Sequence, residues 1–117
     1  MVRNQVFSWV QWLARRDHQR FADVPSADRD DRWTVDRLAT TMSAYWEDHD
    51  ELRTDGAARG AQWFVVTEHP DHWDVHQVLL DPLEDADWSL DARVDLIRSR
   101  EEERPVIQLV RLGRTGD

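Results

Sequence analysis

The sequence predicts an α+β domain in which two N-terminal helices pack on a curved four-stranded antiparallel meander sheet. Apolar residues recur at helical spacing over residues 4–52, and the period changes to two over residues 61–112. The links between the predicted strands are short, whereas a parallel crossover needs about a dozen residues or more. With 117 residues, the chain is expected to form a single domain, 1–117, because domains usually contain about 100–150 residues.

The helical half contains two predicted helices. The first covers residues 4–21, and a polar loop with one proline follows at 22–32. Thr34 is a good N-cap for the second helix, which is expected to end before Gly56. The apolar face of the first helix consists of Val6, Trp9, Val10, Leu13 and Phe21.

The second half contains four predicted strands, at 62–68, 73–80, 88–97 and 106–112. The third alternates most clearly, with Trp88 and Leu90 on one face and Asp91 and Arg93 on the other. Such alternation is typical of an antiparallel strand with one buried face. Residues 98–104 are predicted to form a charged loop.

Composition excludes several classes of chemistry. The chain has no cysteine, which excludes disulfides, zinc–thiolate sites and cysteine nucleophiles. All fifteen basic residues are arginine, so a phosphate loop with its lysine and a Schiff-base lysine are also excluded. The net charge of −9 opposes nucleic-acid binding unless arginines cluster on one face. No apolar run reaches the length of about 20 residues that a membrane span needs, and a cytoplasmic location is expected.

Two clusters resemble metal sites but are interpreted as ordinary surface. The three histidines near the first predicted hairpin are His69, His72 and His76. Pro70 and the flanking strands exclude a helix here, so the three histidines cannot share one helical face. A surface hairpin with incidental histidines is therefore favoured over a zinc site. The segment 81–87 carries four acidic residues without the ligand order of a calcium loop. A solvated loop is favoured, with Asp87 accepting hydrogen bonds from nearby backbone amides, and no metal or cofactor is predicted.

Two further groups of residues are candidates for binding. If a pocket lies between helices and sheet, its expected lining is Tyr45, Trp46, Asp91 and Arg93. A surface for nucleic acid or a partner is expected at Arg3, Arg15, Arg16 and Arg20. The tryptophans at positions 9, 12, 63 and 73 fit the apolar stripes and are interpreted as core packing. No catalytic residue is predicted.

Several tracts, in their order along the chain, are similar to one known family. They are Met1-Val2-Arg3-Asn4 with Phe7, Ala14-Arg15-Arg16, Tyr45-Trp46 with His49-Asp50, Ala58-Arg59-Gly60, Trp73-x-Val75-x-Gln77-Val78, Asp81-Pro82-x-x-Asp85-x-Asp87-Trp88 and Val94-Asp95-Leu96. Together they resemble the uncharacterised C-terminal domain of actinobacterial DEAD/DEAH-box-type helicases. The resemblance implies a cytoplasmic setting related to nucleic acid. It also implies that the chain is either an excised domain of a longer polypeptide or a gene product shortened at an internal methionine. It carries over no catalytic residue, because the motor's phosphate loop and acidic magnesium motif have no counterpart here.

Three functions follow as hypotheses. The first is a non-catalytic accessory domain whose partner is a helicase core or another protein, with nucleic acid contacted only indirectly. The second is a small-molecule-binding or enzymatic domain, because two helices before a curved sheet are similar to the cone-shaped fold of nuclear transport factor 2. The third is an RNA-binding module, which requires the arginines to form one basic stripe.

Overall fold

A computed structural model of the chain describes residues 2–28 and 30–115, so Met1 of the first tract lies outside the described residues. Within them the elements are α1 (Val2–Ala14), α2 (His18–Ala22), α3 (Val35–Asp48), β1 (Phe64–Glu68), β2 (His72–Leu79), β3 (Trp88–Asp95), α4 (Leu96–Glu102) and β4 (Ile107–Arg114). A 3₁₀ turn, Ala61–Trp63, leads into β1. The order confirms the predicted α+β fold class, with N-terminal helices and a four-stranded antiparallel sheet.

The prediction of one continuous helix over 4–21 is wrong, because the chain breaks after α1. Arg16 adopts a left-handed backbone conformation with φ of 58°, which ends a helix in the manner of a C′ residue. Asp17 then caps α2 by accepting a hydrogen bond of 3.2 Å from the Arg20 amide. A helix stop and a helix start therefore follow each other within three residues.

The predicted start of the next helix is confirmed at Thr34. Its hydroxyl oxygen accepts a hydrogen bond of 3.1 Å from the Arg37 amide, so it is the N-cap of α3. The helix ends at Asp48, before Gly56 as expected, because His49 already has an extended backbone. The segment between His49 and the 3₁₀ turn is irregular except for a short turn at 55–59.

The sheet is a meander in the order β1-β2-β3-β4, and every neighbouring pair is antiparallel. The register between β3 and β4 shifts at Asp91/Ala92, where Asp91 pairs with Arg111 and Ala92 pairs with Leu109. Val110 is therefore an extra residue in β4, a bulge of the kind that bends a strand and increases its twist.

The prediction of a strand to residue 97 and a loop at 98–104 is also wrong, because β3 ends at Asp95 and α4 begins at once. The Asp95 carboxylate caps this helix by accepting a 3.0 Å hydrogen bond from the Arg98 amide. The Ser99 hydroxyl donates to the Asp95 carbonyl at 2.6 Å and accepts from the Val106 amide at 2.9 Å. These bonds fix α4 between the two strands it connects.

The two faces of the sheet differ in character. Alternate residues of β2, β3 and β4 are buried against the N-terminal helices and form one apolar core with them. Tyr45 of α3 meets Trp88 of β3 edge-to-face, with ring centroids 5.6 Å apart. The opposite face carries polar residues, among them His76, Asp91 and Arg111. We call these the inner face and the outer face of the sheet.

The two edges of the sheet also differ. Residues 25–27 cover the edge at β4: the Leu109 amide donates to the Pro25 carbonyl at 2.7 Å, and the Ala27 amide donates to the Leu109 carbonyl at 2.8 Å. At the other edge, β1 pairs with β2 alone among the described strands. In the part of the chain that the structure describes, no helix combines the length and apolar character that a membrane span requires.

Candidate functional site

An open apolar groove of about 650 Å³ lies at the inner face of the sheet, between the start of α1 and the region of α4. The sheet contributes Phe64, Val66 and Trp73 to its wall. These side chains are only partly buried, although they pack against the core. The N-terminal helices leave this part of the inner face uncovered. The apolar residues contributed from outside the sheet are Val2, Leu96 and Pro105.

The groove continues to the free edge of β1. The His69 amide donates to the His72 carbonyl at 2.9 Å, and antiparallel ladder bonds recur at every second residue pair. The amides of Val65 and Thr67 therefore point towards β2, and those of Val66 and Glu68 point away from the sheet. An extended segment placed along β1 would meet free backbone groups, and its alternate side chains would face the groove.

The charged residues of the groove lining are Arg3, Glu103 and Arg104. The Arg3 guanidinium donates to the Arg59 carbonyl and lies 5.8 Å from the centroid of the Phe64 ring. Arg104 is paired with Glu102 at 2.7 Å. That hydrogen bond, with a second from Arg98, holds the pKa of Glu102 below its ordinary value despite some opposing desolvation. The rim is thus charged, while the floor is apolar.

The four residues expected to line a pocket are not brought together. Tyr45 is fully buried, and its hydroxyl donates to the Glu51 carbonyl at 2.7 Å. Trp46 is half-buried beside the end of α1, where the Arg16 guanidinium lies 4.1 Å from its ring centroid. Asp91 and Arg93 lie on the outer face, because side chains alternate along β3 and Trp88 points inwards. The sheet itself separates them from Tyr45.

The four arginines expected to form one surface lie in two places. Arg3 stands at the beginning of α1, whereas Arg15 and Arg16 follow its end, and 12 residues of helix are about 18 Å long. Arg20 forms an ion pair with Asp17 at 3.7 Å and lies near the Trp12 ring. Arg15 and Arg16 line a cleft of about 430 Å³ together with Asp50 and Glu51, so the charges there are mixed.

The acidic segment 81–87 is exposed over residues 82–85, as a solvated loop would be, but it is organised by a buried carboxylate. Asp81, with no exposed surface, accepts hydrogen bonds from the amides of Leu83, Asp85 and Ala86 at 2.9–3.2 Å. Asp81, not Asp87, is therefore the residue that accepts the backbone amides. Burial is the largest influence on the Asp81 pKa and raises it. The amide hydrogen bonds together with nearby His49 outweigh that influence, so the pKa is lowered.

His49 connects this loop to α3. Its Nδ1 lies 3.6 Å from Asp81 Oδ2, and its Nε2 lies 3.4 Å from Asp87 Oδ1. The imidazole is almost fully buried and lies against the ring of Tyr45 at 4.8 Å between centroids. These three groups meet the spacing of a metal site. Asp81 already uses both of its oxygens for backbone amides, however, so its position is explained by the loop it holds.

The tryptophans expected in the core divide into two sets. Trp9 is buried, and its ring meets Phe21 edge-to-face at 6.4 Å. Trp12, Trp63 and Trp73 are partly buried against the core. Trp73 is the one that contributes to the apolar groove, so one indole of the predicted core set also forms part of the candidate binding surface.

The fold and groove describe a small α+β domain with one edge of its sheet left open beside an apolar surface. The chain belongs to the family described as "Domain of unknown function (DUF3516)", whose model matches residues 1–112. No curated protein and no solved structure is significantly similar to it.

Sequence reasoning did not identify the groove. Phe64, Val66 and Trp73 carry the period-two pattern of an inward strand face, which is also the pattern of core residues. Their partial exposure depends on where α1 begins and on the helical turn of α4, and the latter was predicted as a loop. The one signal in the sequence for the groove is that the apolar face of the predicted sheet is larger than two helices can cover.

Proposed function

We propose that this domain is a non-catalytic accessory module that docks on a helicase core through the apolar groove and the free edge of β1. The groove is the main support for the proposal, because it joins an apolar surface to backbone groups of the same strand that have no partner among the described residues. Extended segments bind other domains by this combination: main-chain hydrogen bonds supply affinity, and pockets for alternate side chains supply specificity.

The proposed occupant is an extended segment of the helicase core with apolar side chains at alternate positions. Val66 presents its backbone amide outwards and its side chain to the groove, so both elements of recognition occur at one residue. The contrast with the other edge supports this choice. Residues 25–27 cover β4, a common protection against unwanted pairing, whereas β1 has no such cover among the described residues.

The identity of the partner class rests on the resemblance of the ordered tracts to the C-terminal domain of actinobacterial DEAD/DEAH-box-type helicases. Membership of an uncharacterised family is compatible with that proposal. The proposed setting is accordingly the cytoplasm, with nucleic acid bound by the core rather than by this acidic domain. The dispersed arginines support an indirect role, because a single basic stripe would favour direct binding.

The test measures binding of the 117-residue chain to an actinobacterial DEAD/DEAH-box-type helicase core that lacks this domain, by isothermal titration calorimetry. We expect saturable binding. Val66→Arg should weaken it by a factor of about ten or more, because a charge in an interface core costs more than 1.4 kcal/mol. Val2→Arg places a charge on the opposite wall of the groove and should weaken binding for the same reason.

Val65→Arg is the matched control, because Val65 is the neighbouring residue of β1, is half-exposed and points to the outer face. It should leave affinity within a factor of two or three. All variants are compared by thermal unfolding, so that loss of folding is distinguished from loss of binding. Absence of binding by the unaltered chain, or equal effects at positions 65 and 66, would contradict the proposal.

A further inference from the structure

The hairpin between β1 and β2 brings two imidazoles and one carboxylate together on the outer face. His69 Nε2 lies 3.0 Å from Asp74 Oδ2, and His72 Nε2 lies 3.7 Å from the same oxygen. One nitrogen of each histidine and one oxygen of Asp74 all fall within 4.8 Å of one another. We propose that these three side chains form a binding site for a zinc ion.

The separations suit a common metal. Ligands placed about 2.0–2.1 Å from a tetrahedral zinc are about 3.3 Å apart. The two separations from Asp74 Oδ2 to the histidine nitrogens, 3.0 and 3.7 Å, lie on either side of that value. Rotation of the two imidazoles out of their stacked arrangement would bring all three atoms to coordination distance. The side chains are partly exposed, so water would complete the coordination shell.

Neighbouring side chains orient the ligands. Asp71 Oδ1 lies 2.6 Å from His72 Nδ1, and this contact favours the tautomer whose Nε2 carries a free lone pair. Carboxylates often hold metal-binding histidines in this way. Arg93 Nε lies 3.6 Å from Asp74 Oδ1, the other oxygen of the carboxylate. This contact leaves Oδ2 of Asp74 facing the two histidines.

The backbone brings the three residues together before any ion arrives. His69 and His72 flank the two residues of the turn, Pro70 and Asp71, and are joined by the 2.9 Å backbone hydrogen bond. Their rings stack, with centroids 4.5 Å apart and planes inclined by 22°. Asp74 is two residues beyond His72 on β2, so both side chains project from the same face.

The donor set indicates the class of ion. Two imidazole nitrogens with one carboxylate suit zinc and its transition-metal neighbours, whereas calcium and magnesium prefer oxygen ligands alone. His76, which the sequence places in the same cluster, has a different role, because its Nδ1 lies 2.7 Å from Asp91 Oδ1. Asp91 also pairs with Arg111 at 3.3 Å. The third proposed ligand is therefore Asp74, and not His76 as the sequence cluster would suggest.

The experiment titrates zinc sulfate into the tag-free, metal-stripped chain and follows binding by calorimetry and by the NMR signals of the histidine rings. We expect one ion per chain, with the His69 and His72 signals shifting and that of His76 unchanged. Asp74→Asn and His69→Ala should each weaken binding at least as much as Asp71→Asn. Loss of the orienting Asp71 should cost about 10–100-fold in affinity.

His76→Ala is the matched control, because it removes a histidine from the same strand and face without removing a proposed ligand. It should leave zinc affinity unchanged. Unsaturable binding, or equal losses in His76→Ala and Asp74→Asn, would overturn the proposal. Circular dichroism of each variant confirms that these partly exposed positions leave the fold intact. Neither result depends on whether the apolar groove binds a helicase core.

Discussion

His49 and Asp81 lie side by side in the interior, with His49 Nδ1 3.6 Å from Asp81 Oδ2 and both side chains almost fully shielded from solvent. Asp87 approaches the other ring nitrogen at 3.4 Å. The end of α3 and the acidic segment 81–87 are therefore joined through one imidazole. The segment is anchored to the interior through Asp81, although its residues 82–85 are exposed.

Replacing Asp81 by asparagine should destabilise the domain. The carboxylate accepts three backbone amides, whereas an amide side chain has one acceptor oxygen and would turn its own NH₂ towards a donor. Leaving a buried donor unpaired costs about 1–3 kcal/mol, and urea unfolding measures this loss. Asp85→Asn in the same segment is the control, because Asp85 is exposed and should change stability by less than about 0.5 kcal/mol. Equal losses would contradict the assigned role.

The lowered pKa of Asp81 predicts a contribution to acid unfolding. Between its unfolded and folded pKa values the unfolded chain binds more protons at this site, so the free energy of unfolding decreases as pH falls. The contribution is complete above the unfolded value of about 3.9 and is lost as pH falls through the folded pKa. Urea unfolding over a pH series should show the wild type and Asp81→Asn converging in acid. A difference that stays constant would exclude this origin.

Local signals in the sequence were sufficient where a single interaction decides the structure. Thr34 is followed by an apolar helical face, and the hydroxyl cap forms as expected. The alternation of residues 88–97 gives the correct faces and the correct start of β3, although the strand ends at Asp95. The same alternation already placed Asp91 and Arg93 away from Trp88. Their expected place in a pocket with Tyr45 therefore conflicted with the strand pattern from which the sheet was predicted.

Other features depend on choices that local pattern does not determine. Asp17 and Asp95 are both good N-caps, yet each stands inside a continuous apolar or alternating pattern, which favoured one long element over two. The left-handed conformation of Arg16 carries no residue signal, because glycine is the usual indicator of that conformation. Asp74 lies beside His69 only because of the exact register between β1 and β2, and the predicted strand bounds do not determine that register.

Removing the Ser99 hydroxyl should loosen the connection between α4 and β4. This hydroxyl joins the Asp95 carbonyl to the Val106 amide, and Ser99→Ala leaves that amide without its partner. A loss of about 1–2 kcal/mol is expected from urea unfolding. Ser43→Ala is the matched control, because Ser43 is exposed on α3 and donates only to the Thr40 carbonyl. A similar loss in both variants would show that Ser99 does not link the two elements.

Tyr45 is the single tyrosine of the chain, so its ionisation is observed alone by absorbance at high pH. Burial, with the charges of Asp81 and Asp87, raises its pKa well above the ordinary value, which is about 10. At pH above about 10 the unfolded chain holds fewer protons at this site than the folded chain, so stability falls as pH rises. Phenolate absorbance should therefore appear together with the loss of far-ultraviolet circular dichroism. A phenolate signal with a midpoint near 10 in a chain that remains folded would contradict the burial of Tyr45 and its hydrogen bond to the Glu51 carbonyl.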